Sequence, residues 1–139
     1  MKLTIREYKN KDKNEVISIW KEIFNSNKPH NNPNLVINMK TKQRDNLFFV
    51  AEENNQIVGT IIAGYDGHRG WIYSLAVIPN KRNQGIGKLL VYKALDELKK
   101  LNCLKVNLQI YSENDTVINF YKKLGFLIED RISMGKIIK

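Results

Sequence analysis

WIYSLAVIPNKRNQGIGKLLVYKALDELKKL, residues 71–101, decides the fold of this chain. Ile72 to Ile78 is an apolar run of strand length that stops at Pro79. A basic, amide-rich turn follows, Asn80 to Gln84, and then Gly85-Ile86-Gly87. From Ile86 onward the apolar residues Leu89, Leu90, Ala94, Leu95, Leu98 and Leu101 recur at helical spacing. Two glycines therefore stand where a strand hands over to a helix. The first N–H groups of a helix have no partner within it, and the helix dipole is positive there. Glycine lets an anion approach those N–H groups closely, so the junction is a seat for a phosphate or diphosphate. Lys81, Arg82 and Lys88 supply charge of matching sign. A plain strand-to-helix turn that holds nothing stays open at this point, because glycines are common in turns.

Upstream, Leu47–Ala51 and Ile57–Tyr65 are two further apolar runs, separated by a hairpin turn at Glu53–Gln56. Asp66-Gly67-His68-Arg69-Gly70 turns the chain into Trp71. These runs predict an antiparallel meander feeding the glycine turn. Downstream, Asn102 is expected to stop the long helix in the left-handed conformation. Leu104, Val106, Leu108 and Ile110 alternate as a strand, with Cys103 at its start as a small buried hydrophobe. Asn114 is an N-cap for a short helix carrying Val117, Phe120, Tyr121 and Leu124 on one face, and Gly125 closes it. Phe126–Ile128 and Arg131–Ile138 are expected to be two final strands.

At the N-terminus Leu3, Ile5 and Tyr8 suggest a first strand. Asp12 to Glu15 reads as a capping box ahead of Val16, Ile19, Trp20, Ile23 and Phe24, a helix expected to end near 25–27. Lys28 to Pro33 is too rich in proline and asparagine for regular structure, and His30 within it reads as part of a connector. A second helix is expected over Leu35–Lys42. The whole is an α/β (α+β mixed sheet) pattern: a mixed, mostly antiparallel sheet with helices on both faces. Its one parallel, right-handed crossover runs from Ile72 to Ile110.

The 139 residues fit a single domain, 1–139, and 42% hydrophobic with 27% charged residues is a globular balance that leaves no membrane-spanning segment. The N-terminus turns polar within a few residues, so no secretory leader is expected. One cysteine, Cys103, excludes an internal disulfide and suits a cytoplasmic setting. With only His30 and His68 beside it, no metal site is expected. The net charge of +9 comes from lysines scattered along the chain without a long run, which argues against a nucleic-acid partner.

The glycine turn fits neither of two familiar phosphate loops. Arg82 stands where a P-loop has its first glycine and Leu89 where it has a hydroxyl, and Leu90 takes the third small position of the dinucleotide fingerprint. What remains is Arg82-x-x-Gly85-x-Gly87. It resembles motif A of the GCN5-related N-acetyltransferases, and Asn114–Phe126, with its Phe120-Tyr121-x-x-x-Gly125-Phe126 ending, resembles their motif B. The two motifs follow in the family's order, and the likeness extends over nearly the whole chain. Gly64 to Gly70 looks like the YpeA-like bacterial branch.

The resemblance implies that acetyl-CoA is the co-substrate and that an amine of a small molecule or protein attacks its acetyl carbonyl directly, with no acyl-enzyme. The strand before motif A would splay from the next strand at a bulge, offering main-chain groups of Leu75, Ala76 and Val77 to the pantetheine arm. The Leu75 N–H would stabilise charge on the acyl oxygen. Arg82, Asn83, Gln84, Gly85, Ile86, Gly87 and Lys88 would hold the diphosphate, and Asn114 would touch the arm. Tyr121 would protonate the leaving thiolate. Trp71 stands where some relatives place a glutamate base, which leaves Asp66, His68 and Tyr73, or a water relay, to take the amine's proton. A non-catalytic acyl-CoA-binding module on the same fold is the alternative. Protein N-terminus, lysine, polyamine, antibiotic and small metabolite all stay open as acceptor, as do monomer and homodimer.

Overall fold

The computed structural model describes residues 2–24 and 28–139, so the expected helix end at 25–27 lies outside the described residues. The chain forms two compact units, Met1–Gln109 and Ile110–Lys139. The first contains β1 (Leu3–Glu7), α1 (Lys13–Phe24), α2 (Pro33–Lys42), β2 (Phe48–Glu53), β3 (Gln56–Tyr65), β4 (Gly70–Val77), α3 (Ile86–Lys100) and β5 (Val106–Asn107). They build a five-stranded sheet in the order β1-β2-β3-β4-β5. The first four strands are antiparallel neighbours, and β5 lies parallel to β4. The expected meander and crossover are therefore present. Asn54 and Asn55, both left-handed at φ 52° and 62°, form the two-residue turn between β2 and β3, the conformation that matches strand twist in tight hairpins.

Strand alternation divides the sheet's side chains between two helical layers. Phe48, Val50, Ile57, Ile62 and Ala76 pack with Val16, Ile19 and Trp20 of α1 and Ile37 of α2. On the other face lies α3, whose buried stripe is Ile86, Leu90, Val91, Ala94 and Leu98. Gly59 sits against it, because a Cβ there would stand 3.0 Å from a Leu90 methyl. Burying these aliphatic side chains stabilises each layer by about 1.5–3 kcal/mol per fully covered residue.

Several local expectations need correction. Asp12 and Glu15 form no capping box: Asp12 accepts from Arg6 and from the Lys9 N–H, while Glu15 accepts from the Ile57 N–H on β3. Asp12 is spent on partners in the preceding turn, and Glu15 on one 42 residues away. The proline-rich segment is more regular than expected. Pro29–Asn31 is a 3₁₀ turn, Asn32 caps the Leu35 N–H, and Pro33 opens α2, where a missing N–H costs nothing. The stop at Asn102 forms as expected, at φ 66°, with Asn102 N–H on Lys99 O and Cys103 N–H on Leu98 O.

The strand expected over Leu104–Ile110 shrinks to Val106–Asn107, which pairs only with Gly70 and Trp71 of β4. A bulge farther along β4 accounts for this, since a bulge bends its strand away from a flat ladder.

In the second unit α4 covers Asp115–Lys123. Neither expected final strand forms over 126–128 or 131–138. The Phe126 N–H is taken by Tyr121 O and the Arg131 N–H by Glu129 O, so these segments bond locally where a ladder would need a neighbouring strand. Alternating pattern alone does not make a strand.

Candidate functional site

The break in β4 is the first feature of the site. Val77 and Ala76 pair with Gly59 and Thr60, while Tyr73 pairs with Ile62, so Ile61 alone faces both Ser74 and Leu75. That is a β-bulge, and Ser74 in it has φ 53°. Its effect on facing is visible: Ala76 packs beside Ile62 in the α1 layer, and Ile62's partner is Tyr73, three residues from Ala76. A regular strand would put residues three apart on opposite faces.

The bulge also redistributes main-chain groups. The Ile78 N–H bonds Val58 O. Counting back from it by strand alternation, the groups of Ala76 face β3 and those of Val77 and Leu75 face the opposite edge. That edge has no strand partner beyond Trp71 among the described residues. Leu75 and Val77 therefore present main-chain groups to the edge opposite β3. Ala76 does not, because its groups are spent in the ladder with β3. Of the Val77 pair, the carbonyl accepts from Arg82 Nε at 2.9 Å.

The second feature is the turn itself. Pro79–Lys81 forms a 3₁₀ turn, and Asn83 and Gly85 are left-handed at φ 63° and 85°. Gly85 is the N-cap of α3 and carries no side chain to cap it. The first bond within the helix runs from the Leu89 N–H to Gly85 O, so the N–H groups of Ile86, Gly87 and Lys88 have no acceptor in the helix. A Cβ on Gly85 would meet nothing within 4 Å, so neighbours leave the approach clear. Ile86 is buried and anchors the turn to the sheet, whereas Asn83, Gln84, Gly85 and Lys88 are exposed.

The three cations around the turn are each engaged. Lys81 pairs with Glu53 of β2 at 2.6 Å, Arg82 reaches back to Val77, and Lys88 stands over the Tyr92 ring at 5.6 Å. Arg82 thus ties the turn to the end of β4.

The candidate bases lie in and beside the β3–β4 loop. Asp66 Oδ1 accepts the N–H groups of His68 and Arg69 at 2.8 and 2.7 Å, and its Oδ2 accepts Trp71 Nε1. The Arg69 and His68 amides hold the Asp66 carboxyl below its usual range. It closes the loop and is a weak base. His68 Nε2 lies 2.8 Å from the Arg69 guanidinium, a permanent donor that occupies the ring's lone pair. Tyr73 is half exposed, and burial and then the charge of Asp66 push its phenol up.

The second unit carries the remaining two candidates. Asn114 caps α4 by accepting the Val117 N–H at 3.3 Å. α4 ends in a full Schellman motif: Gly125 is left-handed at φ 95°, its N–H bonds Lys122 O, and the Phe126 N–H bonds Tyr121 O. The Phe126 ring meets Tyr121 edge-on at 5.3 Å, the apolar contact that accompanies such a stop. The Tyr-x-x-x-Gly-Phe spacing is thus the geometry of a helix end that grips Tyr121. Tyr121 is buried, and burial pushes its phenol up.

Sequence reading missed Thr60, Trp20 and Ser74. Thr60 accepts Trp20 Nε1–H and donates to Ser74 O, both at 2.9 Å. The signal was there: Thr60 is the one polar side chain in the run Ile57–Ala63, and a buried hydroxyl needs partners. Among the described residues no cluster of three His, Cys, Asp or Glu is placed to hold a metal, and no helix is long and apolar enough to cross a membrane.

Residues 13–126 match the model of the acetyltransferase (GNAT) family. The chain is similar to Ard1 from Thermoplasma volcanium, with 28% identity and a TM-score of 0.82 over 93% of this chain and 85% of that one. It is similar to a predicted acetyltransferase from Clostridium acetobutylicum solved with acetyl-CoA, at 25% identity and TM-score 0.74 over 97% and 96%. PaiA N-acetyltransferase from Thermoplasma acidophilum, solved with coenzyme A, shares the fold at 22% identity and TM-score 0.82 over 95% and 94%.

Proposed function

This chain belongs to the acetyltransferase (GNAT) family, and from that premise we propose that it transfers the acetyl group of acetyl-CoA directly to a primary amine of a small molecule or protein, both substrates being bound together. One observation carries the reading. The open edge of β4 at Leu75 and Val77 runs through a single short turn into the unpaired N–H groups of Ile86, Gly87 and Lys88. That is an extended main-chain edge followed by an anion seat, in the order that a pantetheine arm and its diphosphate require.

The main-chain amides of residues 83–88 take the diphosphate, and Arg82 keeps the turn in register with β4. The Leu75 N–H donates to the acyl oxygen as it gains charge. Tyr121 is the general acid: its phenol is protonated at neutral pH and passes that proton to the departing thiolate. The Asn114 amide nitrogen, left over from capping, meets the pantetheine arm. The amine loses its proton to a water relay, because Asp66 and His68 are engaged within their loop and Tyr73 is a poor base. Both units act as one domain, a reading supported by a family match that crosses residue 109. A place in the YpeA-like bacterial branch and a cytoplasmic setting complete the proposal.

The test is thiol release from acetyl-CoA with a panel of amines, alongside thermal shift. A ligand at about 100 times its Kd raises stability by about 2.7 kcal/mol. Tyr121→Phe is expected to lower kcat about 10²-fold or more while the KM for acetyl-CoA moves little. Equal turnover in that variant removes Tyr121 from the chemistry. Stabilisation by acetyl-CoA without turnover of any amine would mark a non-catalytic acyl-CoA-binding module instead.

A further inference from the structure

Thr60 is completely buried on β3, yet its hydroxyl is paired both as acceptor and as donor, accepting from Trp20 on α1 and donating to the Ser74 carbonyl in the bulge. Building on the acetyl transfer proposed above, we infer that the Trp20–Thr60–Ser74 hydrogen-bond chain is a positioning device that aims the Leu75 N–H at the acyl oxygen. The Ser74 C=O and the Leu75 N–H belong to one planar, trans peptide group, so they point in opposite directions. Pinning the oxygen onto Thr60, on the β3 side, turns the N–H toward the open edge. Ser74 is left-handed and has no regular ladder position to hold it, so without the pin its peptide is free to rotate. Thr60 and Trp20 touch no substrate in this scheme; they act through the Ser74–Leu75 peptide.

A hydroxyl kept only for stability is a poor choice here, since valine fills the same space without a polar group to desolvate. The proposal therefore separates Thr60→Ser, which keeps the hydroxyl, from Thr60→Val, which keeps the shape. Thr60→Val is expected to lower kcat about 10- to 100-fold, the loss that follows a misplaced oxyanion donor. The KM for acetyl-CoA should stay within about threefold of wild type, and Thr60→Ser should restore kcat to within about threefold. In ¹⁵N spectra the Leu75 amide should be a single sharp resonance in wild type and Thr60→Ser, and broadened or doubled in Thr60→Val, with Ala94 on α3 unmoved.

Wild-type kcat in folded Thr60→Val, or equal loss in both variants, overturns the proposal. So does broadening that spreads evenly to α3. If the wild type turns over no amine, acetyl transfer fails on its own, and the Leu75 resonance alone decides the pin. If Thr60→Val does not fold, Trp20→Phe takes its place with the same two readouts and an expected kcat loss of about 3- to 10-fold.

Discussion

Two departures from regular backbone make this site, and they are held in opposite ways. The turn before α3 uses Asn83 and Gly85 at φ 63° and 85°, residue types that enter the left-handed region at little cost. The bulge in β4 uses Ser74 at φ 53°, a residue for which that region costs about 1–2 kcal/mol. The turn is made by its own residues, and its donors are simply the start of a helix. The bulge is bonded through its Ser74 carbonyl to Thr60 on the neighbouring strand, and Thr60 in turn to Trp20 on a helix packed over the sheet. An anion seat can therefore assemble locally, whereas a single aimed N–H in mid-strand needs support from elsewhere in the fold. β3 serves both. Thr60 reaches the bulge from one face, and on the other the bare Gly59 lets Ile86 and Leu90 of α3 come close.

The strongest way to break this comparison is to act on the residue that joins the two regions. A Cβ on Gly59 would lie 3.0 Å from both Ala76 O and Leu90 Cδ1. Gly59→Val is therefore expected to destabilise the chain by about 3 kcal/mol, read as a lowered urea midpoint. An unchanged midpoint would mean that β3 does not bind the two regions together. Next comes Gly85→Ala, where space is free but the left-handed backbone is not. A loss of about 1–2 kcal/mol is expected, with a smaller acetyl-CoA thermal shift. A loss near zero would show that the turn is not held left-handed in solution. Smallest is Ser74→Gly, which relieves the strain but frees the unfolded chain, two effects that nearly cancel. A change under about 1 kcal/mol is expected. A loss beyond about 2 kcal/mol would assign the holding to the serine side chain and not to the Thr60 contact with its carbonyl.

The same division separates the features legible in the amino-acid sequence from those that are not. The meander, α3, the cap at Asn114 and the stops at Asn102 and Gly125 follow from spacing and from residues whose preferences act within one turn of chain. The glycine turn before α3 belongs with them, since glycine placement and a helix start are local facts. The capping box failed because Asp12 is taken one turn earlier, by the Arg6 side chain and the Lys9 N–H, and Glu15 by the Ile57 N–H, 42 residues away. The final strands failed because a strand exists only with a neighbour, and alternation at Ile132 and Met134 does not provide one.

Local sequence thus determined the meander, the helices, their order and the place of the glycine turn before α3, because short-range sterics and hydrogen bonding settle those. Tertiary structure alone decided that Asp66 is a loop fastener, that Ala76 is spent in the ladder while Leu75 is offered outward, and that Thr60 governs which way that N–H points. Each of these depends on which carbonyl or amide comes within about 3 Å of another. Residues 14 and 40 apart along the chain meet at that distance only once the sheet has closed under α1.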